Sequence, residues 1–358
     1  MKILTFGDLH FHPYHQFSHP VEFGYTVRLQ EQINTCKEIS SKILDLKPDL
    51  VCCGGDVFHT WSMVDTIVLD AVTEGLHIID EACKKIGKKF NIIVGNHDQI
   101  SDNNMSSNSL RPFKYYPNIV LHEKMEEDEQ NNIVYIPYVM ESSRVKSFIE
   151  EIKDKENKVV LTHLDFLGAK YSETIVDQSG NDVKMFSCFK KVIGHHYHLP
   201  QKLGKNIIFP GSPQVFSFNE PRTCLTRGLI MYDTELDSFE RIKLNVPDWI
   251  RLDDSDSIAD VVKNLSRNNY LKLSLVSDFS LENEGITIEY LKEKFLGIEV
   301  EYDVERIKPI MSKRDSSEIE LESEEDVLNE FIESQNYSTE QKEKFKKVGL
   351  NILGKVRR

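Results

Sequence analysis

Five short polar motifs, each standing directly after an apolar run, constrain this chain more than any other feature. They are Gly7-Asp8-Leu9-His10, Gly55-Asp56-Val57-Phe58-His59, Gly95-Asn96-His97-Asp98, Thr162-His163 and His196-Tyr197-His198. The apolar runs, with strand candidates at 2–6, 50–53, 90–94, 159–161, 192–193 and 207–209, are short and apolar throughout. Such runs read as strands buried on both faces. Between the first two, Leu29, Ile33, Cys36 and Ile43 fall at helical steps, and Ile67, Ala71, Ile78, Ala82 and Ile86 broadly do so before the third. Strands alternating with amphipathic helices imply an α/β core. The carboxyl ends of strands in an open α/β sheet converge on one crevice, so motifs far apart in sequence are expected to meet there.

The pattern changes later in the chain. Residues 229–232 and 239–244 read as a hairpin. After Pro247-Asp248-Trp249 a small β-α-β unit is expected, with strands at 270–276 and 298–307 around a helix at 287–295. Beyond Pro309 an acidic stretch reads as a linker, followed by two short helices with start signals at Ser323/Asp326 and Ser338/Gln341. Val327, Leu328, Phe331 and Ile332 share a face of the first helix, and Phe345, Val348 and Ile352 a face of the second. Helices this short cannot easily bury both stripes against each other, so a partner surface is their expected destination. The expected segmentation is a main domain over 1–248, a second domain over 249–310, a linker over 311–322 and a helix pair over 323–358.

The donor types at the five motifs narrow the chemistry. Carboxylates, an amide oxygen and imidazoles, with no thiolate, suit borderline-to-hard cations such as Mn²⁺, Fe²⁺ or Zn²⁺. Asp8 and His10, like His196 and His198, stand two residues apart, which on an extended segment would aim both side chains to one side. Asp56 is placed to bridge two cations through its two oxygens. Such a pair, about 3.5–4 Å apart, activates a water and stabilises the charge of a transferring phosphoryl group, so phosphoester hydrolysis is the expected reaction. His97 follows a candidate ligand directly and should point away from the metals, free to donate to the scissile phosphate or the leaving oxygen. Asp98 is expected to hold its tautomer. His12, His15, His19, His77 and His122 are expected to be surface or satisfied residues.

In order, GDLH, GGDVFH, GNHD, THLDF and HHYH resemble the calcineurin-like metallophosphoesterase superfamily over roughly the first 215 residues. Within it, His59 and the Pro210-Gly211-Ser212-Pro213 segment look like the SbcD-type nucleases, the nuclease subunits of the double-strand-break processing complex. The compact size is most similar to the tailed-phage version, the recombination endonuclease subunit. The resemblance implies a metallophosphoesterase β-sandwich flanked by helices, with a small α+β capping domain that grips DNA and a C-terminal helix pair that binds an SbcC-type coiled-coil ATPase. It implies one metal held by Asp8, His10, Asp56 and His198, and a second by Asp56, Asn96, His163 and His196. His97 would be the catalytic histidine, Asp98 its partner, and His59 an aid to strand engagement or catalysis. The implied activity is Mn²⁺-dependent 3′-to-5′ exonuclease on duplex ends and endonuclease on single strands, gated by ATP through the partner, in a possible homodimer. Where the family reads Gly-His-x-His, this chain has Gly194-His195-His196-Tyr197-His198; the two-residue spacing selects His196 and His198 and leaves His195 aside.

Charge qualifies the DNA expectation. A net charge of −14 argues against a free-standing high-affinity DNA binder, because phosphate contacts need Lys and Arg, and fits a nuclease acting beside a basic partner. Two rivals remain: a phosphatase or phosphodiesterase of the same site type that does not act on DNA, and a partner-binding subunit with a dead site. His59, the capping unit and the terminal helices count against the first, and the filled ligand positions against the second. No apolar run reaches the ~20 residues of a membrane span, and the first residues turn polar too early for a signal peptide. Cys36, Cys52, Cys53, Cys83, Cys188 and Cys224 form no CxxC pair, so buried reduced thiols and a cytoplasmic location, that of the host if phage-encoded, are expected.

Overall fold

The computed structural model describes residues 1–21, 24–61, 63–101, 107–172, 174–220, 227–254, 256–265, 268–276 and 281–303, together with 342 and 346. The linker and, apart from Lys342 and Lys346, the helix pair expected over 323–358 lie outside the described residues.

In chain order the elements are β1 (Lys2–Phe6), α1 (Val27–Leu46), β2 (Leu50–Cys53), α2 (Thr66–Lys85), β3 (Phe90–Ile93), β4 (Ile119–His122), β5 (Glu126–Asp128), β6 (Ile133–Ile136), α3 (Ser142–Glu151) and β7 (Val159–Thr162). There follow β8 (Lys191–Gly194), β9 (Gln201–Leu203), β10 (Ile207–Phe209), β11 (Leu229–Asp233), β12 (Ser238–Ile242), β13 (Trp249–Asp253), α4 (Ile258–Asn264), β14 (Tyr270–Val276), α5 (Ile288–Lys294) and β15 (Gly297–Asp303). One sheet runs β12-β11-β1-β2-β3-β4 and the second β5-β6-β7-β8-β10-β9. In each the central strands are parallel and antiparallel neighbours close an edge.

Alternation of side chains explains why these strands are apolar throughout. Ile3, Cys52 and Ile93 meet Tyr135, Leu161, Ile193 and Ile208 in a core between the two sheets. Their neighbours Leu4, Phe6, Val51, Cys53 and Ile92 face the other way, onto Leu29, Ile33, Leu76 and Ile79 of α1 and α2. On the far side Val134, Val160 and Val192 pack on Val145 and Ile149 of α3. The result is a β-sandwich flanked by helices, as the sequence led one to expect. Helices α1 and α2 start where a polar side chain accepts a freed amide: Thr26 Oγ1 takes Leu29 N at 3.3 Å, and Asp65 Oδ1 takes Ile67 N at 3.4 Å.

The unit after Trp249 is larger than the expected β-α-β. It is a parallel three-stranded sheet, β13-β14-β15, with α4 and α5 in its crossovers. Its joint to the main sheets is aromatic: Trp249 and Tyr270 stack at 4.3 Å beside Phe17 and Phe218. Arg28 of α1 lies 4.6 Å from the Trp249 ring centre and donates to the Phe216 carbonyl at 3.1 Å. Cys36 and Cys83, on the buried faces of α1 and α2, and Cys52 and Cys53 of β2 are buried free thiols, but Cys188, after a short turn, is exposed; Cys224 lies outside the described residues.

Candidate metal centre and active site

The five motifs follow the carboxyl ends of β1, β2, β3, β7 and β8. The first three strands are parallel neighbours in one sheet and the last two in the other, so the motifs converge on one edge of the sandwich. The backbone there is not extended. Asp8, His10, Asp56 and His196 have φ of 56°, 44°, 51° and 94°, in the left-handed region that ordinary residues rarely adopt. The expectation that Asp8/His10 and His196/His198 share a side through strand alternation is therefore corrected: tight left-handed turns aim them. Those turns are held by loop-to-loop bonds, Asp8 N to Gly55 O at 2.9 Å and His10 N to Asp56 O at 3.0 Å.

Three glycines are there for space. A Cβ on Gly54 would stand 1.9 Å, and one on Gly7 2.6 Å, from the His195 ring, and one on Gly95 2.2 Å from Asp56 Oδ1. His195 thus fills the floor beneath two motif loops. Its Nε2 is 2.9 Å from Thr5 Oγ1, and its Nδ1 is 3.8 Å from Asp8 Oδ2.

All seven candidate ligands come together. The donor atoms of Asp8, His10 and His198 lie within 4.8 Å of one another, as do those of Asp56, His163 and His196. Asn96 Oδ1 joins the second group, 3.1 Å from both His163 Nε2 and His196 Nδ1. Asp56 stands between the groups, its Oδ2 3.3 Å from His163 Nε2 and 3.6 Å from His10 Nε2. Two imidazole nitrogens, His10 Nε2 and His198 Nε2, face each other at 2.9 Å, and His10 Nδ1 is buried with no partner. Nitrogens and oxygens crowded this way, without thiolates, fit a pair of divalent cations.

A ring of outer partners fixes the imidazoles. His163 Nδ1 donates to the Gly54 carbonyl at 2.7 Å. His196 Nε2 pairs with Asp165 Oδ1 at 2.7 Å, and His198 Nδ1 faces Glu220 Oε1 at 3.6 Å. Each turns the opposite nitrogen inward, as metal-binding histidines require. Charge follows the same plan. Burial opposes ionisation of Asp8, but the nearby His195 and the charges of His163 and His198 hold it at about 2. Burial would depress His163, yet Asp56 pushes it up to about 10. Glu220, against burial, is held at about 2 by His198 and Arg227.

His97, His59 and His10 form a third group, with donor atoms within 4.8 Å of one another. The His97 ring lies 4.8 Å from His10 and stacks on His59 at 5.5 Å. Burial and the neighbouring His12 push His59 down to about 4. The expectation that Asp98 holds the His97 tautomer is corrected. His97 Nδ1 sits 2.6 Å from the His59 carbonyl, while the buried Asp98 carboxylate accepts from four backbone amides, Asp56 at 2.8 Å and Val57, Phe58 and Gly95 at 3.0 Å. Asp98 ties the Asp56 loop to the Asn96 loop.

Asp165, Glu220, Tyr171 and Trp61 were not singled out from the sequence. Asp165 stands inside the THLDF motif and could have been read as a partner for a histidine. Glu220 carries no spacing signal; it reaches His198 only because Arg227 and the Phe216 amide hold its carboxylate there.

A model described as calcineurin-like phosphoesterase matches residues 1–222. The chain is similar to "Putative phosphoesterase 078R" of Invertebrate iridescent virus 3, 24% identical over 255 residues that cover 69% of this chain and 67% of that protein. It is 27% identical to "Putative phosphoesterase 244L" of Invertebrate iridescent virus 6 over 245 residues, 66% of this chain and 79% of that protein. "Probable exonuclease subunit 1" of Escherichia phage T5 is 24% identical over 208 residues, 57% of this chain and 58% of that protein.

Proposed function

Because the chain belongs to the calcineurin-like phosphoesterase family, hydrolases that use a dinuclear metal centre, we propose that it is an SbcD-type DNA nuclease. It would act as a 3′-to-5′ exonuclease on duplex ends and an endonuclease on single strands, processing DNA ends in recombination and repair. The observation that carries the phosphodiesterase reading is Asp56 between two donor groups, with His97 and His59 on the open side. The similarity to the T5 exonuclease subunit supports DNA as substrate. The three-stranded sheet β13-β14-β15 is assigned the role of a cap that grips DNA.

One cation would be held by Asp8, His10, Asp56 and His198 and the other by Asp56, Asn96, His163 and His196, with Mn²⁺ the expected ion. Bound there, the pair supplies an activated water and neutralises charge on the phosphate. The remaining work belongs to side chains. His97 donates from Nδ1 to the His59 carbonyl, because a carbonyl can only accept. That leaves Nε2 as the nitrogen that, in the imidazolium form, gives its proton to the phosphate or leaving oxygen. His59, kept neutral by its depressed pKa, offers a hydrogen bond without a charge.

The segment over 323–358, which the sequence pattern predicts as a helix pair, is assigned to an SbcC-type ATPase, whose basic surface would offset the −14 charge of this chain. Nuclease assays with Mn²⁺ against Mg²⁺, with and without ATPase and ATP, test the whole proposal. Cleavage of duplex DNA stimulated by the ATPase is expected. Hydrolysis of a small chromogenic phosphodiester without cleavage of DNA would replace it with the rival phosphodiesterase reading. Removal of all residues after Pro309 should leave metal binding intact and abolish ATPase binding; unchanged binding would overturn the partner assignment.

A further inference from the structure

The loop after His59 brings an aromatic ring beside the third histidine group. Trp61 meets the His97 ring edge-on, with centres 5.6 Å apart and planes at 88°. Yet 43% of the residue is open to solvent, and the adjoining Met63 is 83% open. Across the ligand cluster, Tyr171 is also 43% exposed; its hydroxyl is 3.3 Å from His196 Nε2 and its ring 5.8 Å from the His196 ring. The second tryptophan, Trp249, is only 3% exposed in the aromatic joint.

The indole is not anchored by the imidazole it touches. His97 Nδ1 lies 2.6 Å from the His59 carbonyl and 3.0 Å from Trp61 Nε1. The carbonyl only accepts and the indole only donates, so one nitrogen cannot bond both at once. The shorter carbonyl contact takes the proton, so the indole borders the imidazole by its N–H edge without a shared proton, and 43% of the residue stays open to solvent. Large rings left in water beside a catalytic histidine forgo burial, whereas every nucleobase offers a π-face to such a ring.

We propose that Trp61 stacks on the nucleobase next to the scissile phosphate, with Tyr171 as the wall on the other side of the metal centre. A base within a duplex is already covered on both faces, so this site takes a strand whose bases at the cut are unpaired. The inference rests on the DNA reading given above.

The test measures affinity without added metal for labelled oligothymidylate and for an abasic deoxyribose-phosphate oligomer of equal length. Trp61→Ala should weaken oligothymidylate binding by about 10-fold to 100-fold, the worth of one stacked base. It should leave the abasic oligomer and the Mn²⁺ affinity unchanged, and Trp61→Phe should restore most of the loss. In the wild-type protein, oligothymidylate should quench tryptophan emission and the abasic oligomer should not. Equal losses for both oligomers, or none for either, would overturn the stacking role. If the wild-type protein bound no oligothymidylate yet still hydrolysed a small phosphodiester, the DNA reading itself would fall and this inference with it.

Discussion

Asp98→Asn is the sharpest probe of how the metal ligands are held in place. Oδ2 of Asp98 accepts from the amides of Asp56 and Gly95, and Oδ1 from those of Val57 and Phe58, all at 2.8–3.0 Å. An amide side chain keeps one acceptor oxygen and turns an NH₂ toward the other pair of N–H groups. Two buried donors then lose their partner at about 1–3 kcal/mol each, or about 2–6 kcal/mol together. Burial and the nearby Asp56 charge push the Asp98 carboxyl up to about 7, so removing that charge returns part of the cost. The expected loss lies toward the lower end, still a large share of the ~5–15 kcal/mol that keeps a protein folded. Urea unfolding of the metal-free protein at neutral pH reads the stability, and calorimetry reads the accompanying fall in Mn²⁺ affinity. Stability within about 0.5 kcal/mol of wild type, the spread of an ordinary surface substitution, would refute the tie between loops. Lost turnover with stability and metals intact would return Asp98 to the role of orienting His97.

Four further outcomes follow from the same geometry. Asp56→Ala should lose both cations and all activity together, and two well-occupied sites by calorimetry would contradict the bridging role. His97→Asn should keep both cations and lose about 10²–10⁴ in turnover; near-normal cleavage in Mn²⁺ would remove it from the chemistry. Asp165→Asn and Glu220→Gln should each weaken metal affinity by about 10–100-fold by releasing a ligand imidazole, and unchanged titrations would show that these carboxylates only support the fold. His163, raised to about 10 by Asp56 despite burial, stabilises the metal-free fold fully below its ordinary value of 6.5, and that contribution is lost as pH rises toward 10. Metal must displace its proton, so affinity should climb with pH and uptake should release protons; calorimetry in buffers of different ionisation heat that found no proton release would contradict this.

The parts legible in the sequence were those written in local pattern. Strand β1 reads clearly because Ile3 faces one core and Leu4 and Phe6 another, which forces an unbroken apolar run. Strands β5, with Glu126-Glu127-Asp128, and β9, with Gln201-Lys202-Leu203, close the edges of a sheet, where exposure erases that run. The seven candidate ligands are legible because each follows a strand that can be recognised. Their aim is not legible, because it depends on left-handed turns at Asp8, His10 and His196, and φ is not readable from residue type at an aspartate or histidine. Glu220 is not legible for a related reason: its place beside His198 is set by Arg227 and the Phe216 amide, not by spacing.

Those turns also explain the composition of the motifs. A non-glycine residue at positive φ persists only where its surroundings over-determine it, and here the surroundings are specific. Asp98 holds the Asp56 turn by three of its own amides, and Gly54 and Gly7 make room for His195, which in turn borders Asp8. The residues around the ligands therefore serve geometry and the ligands serve charge. In the metal-free protein a proton on His163 offsets the Asp56 charge; two cations bound here would take the place of such protons and let Asp8 and Asp56 stand beside neutral imidazoles such as His10. A cleft arranged this way keeps its candidate ligands in position before a substrate arrives.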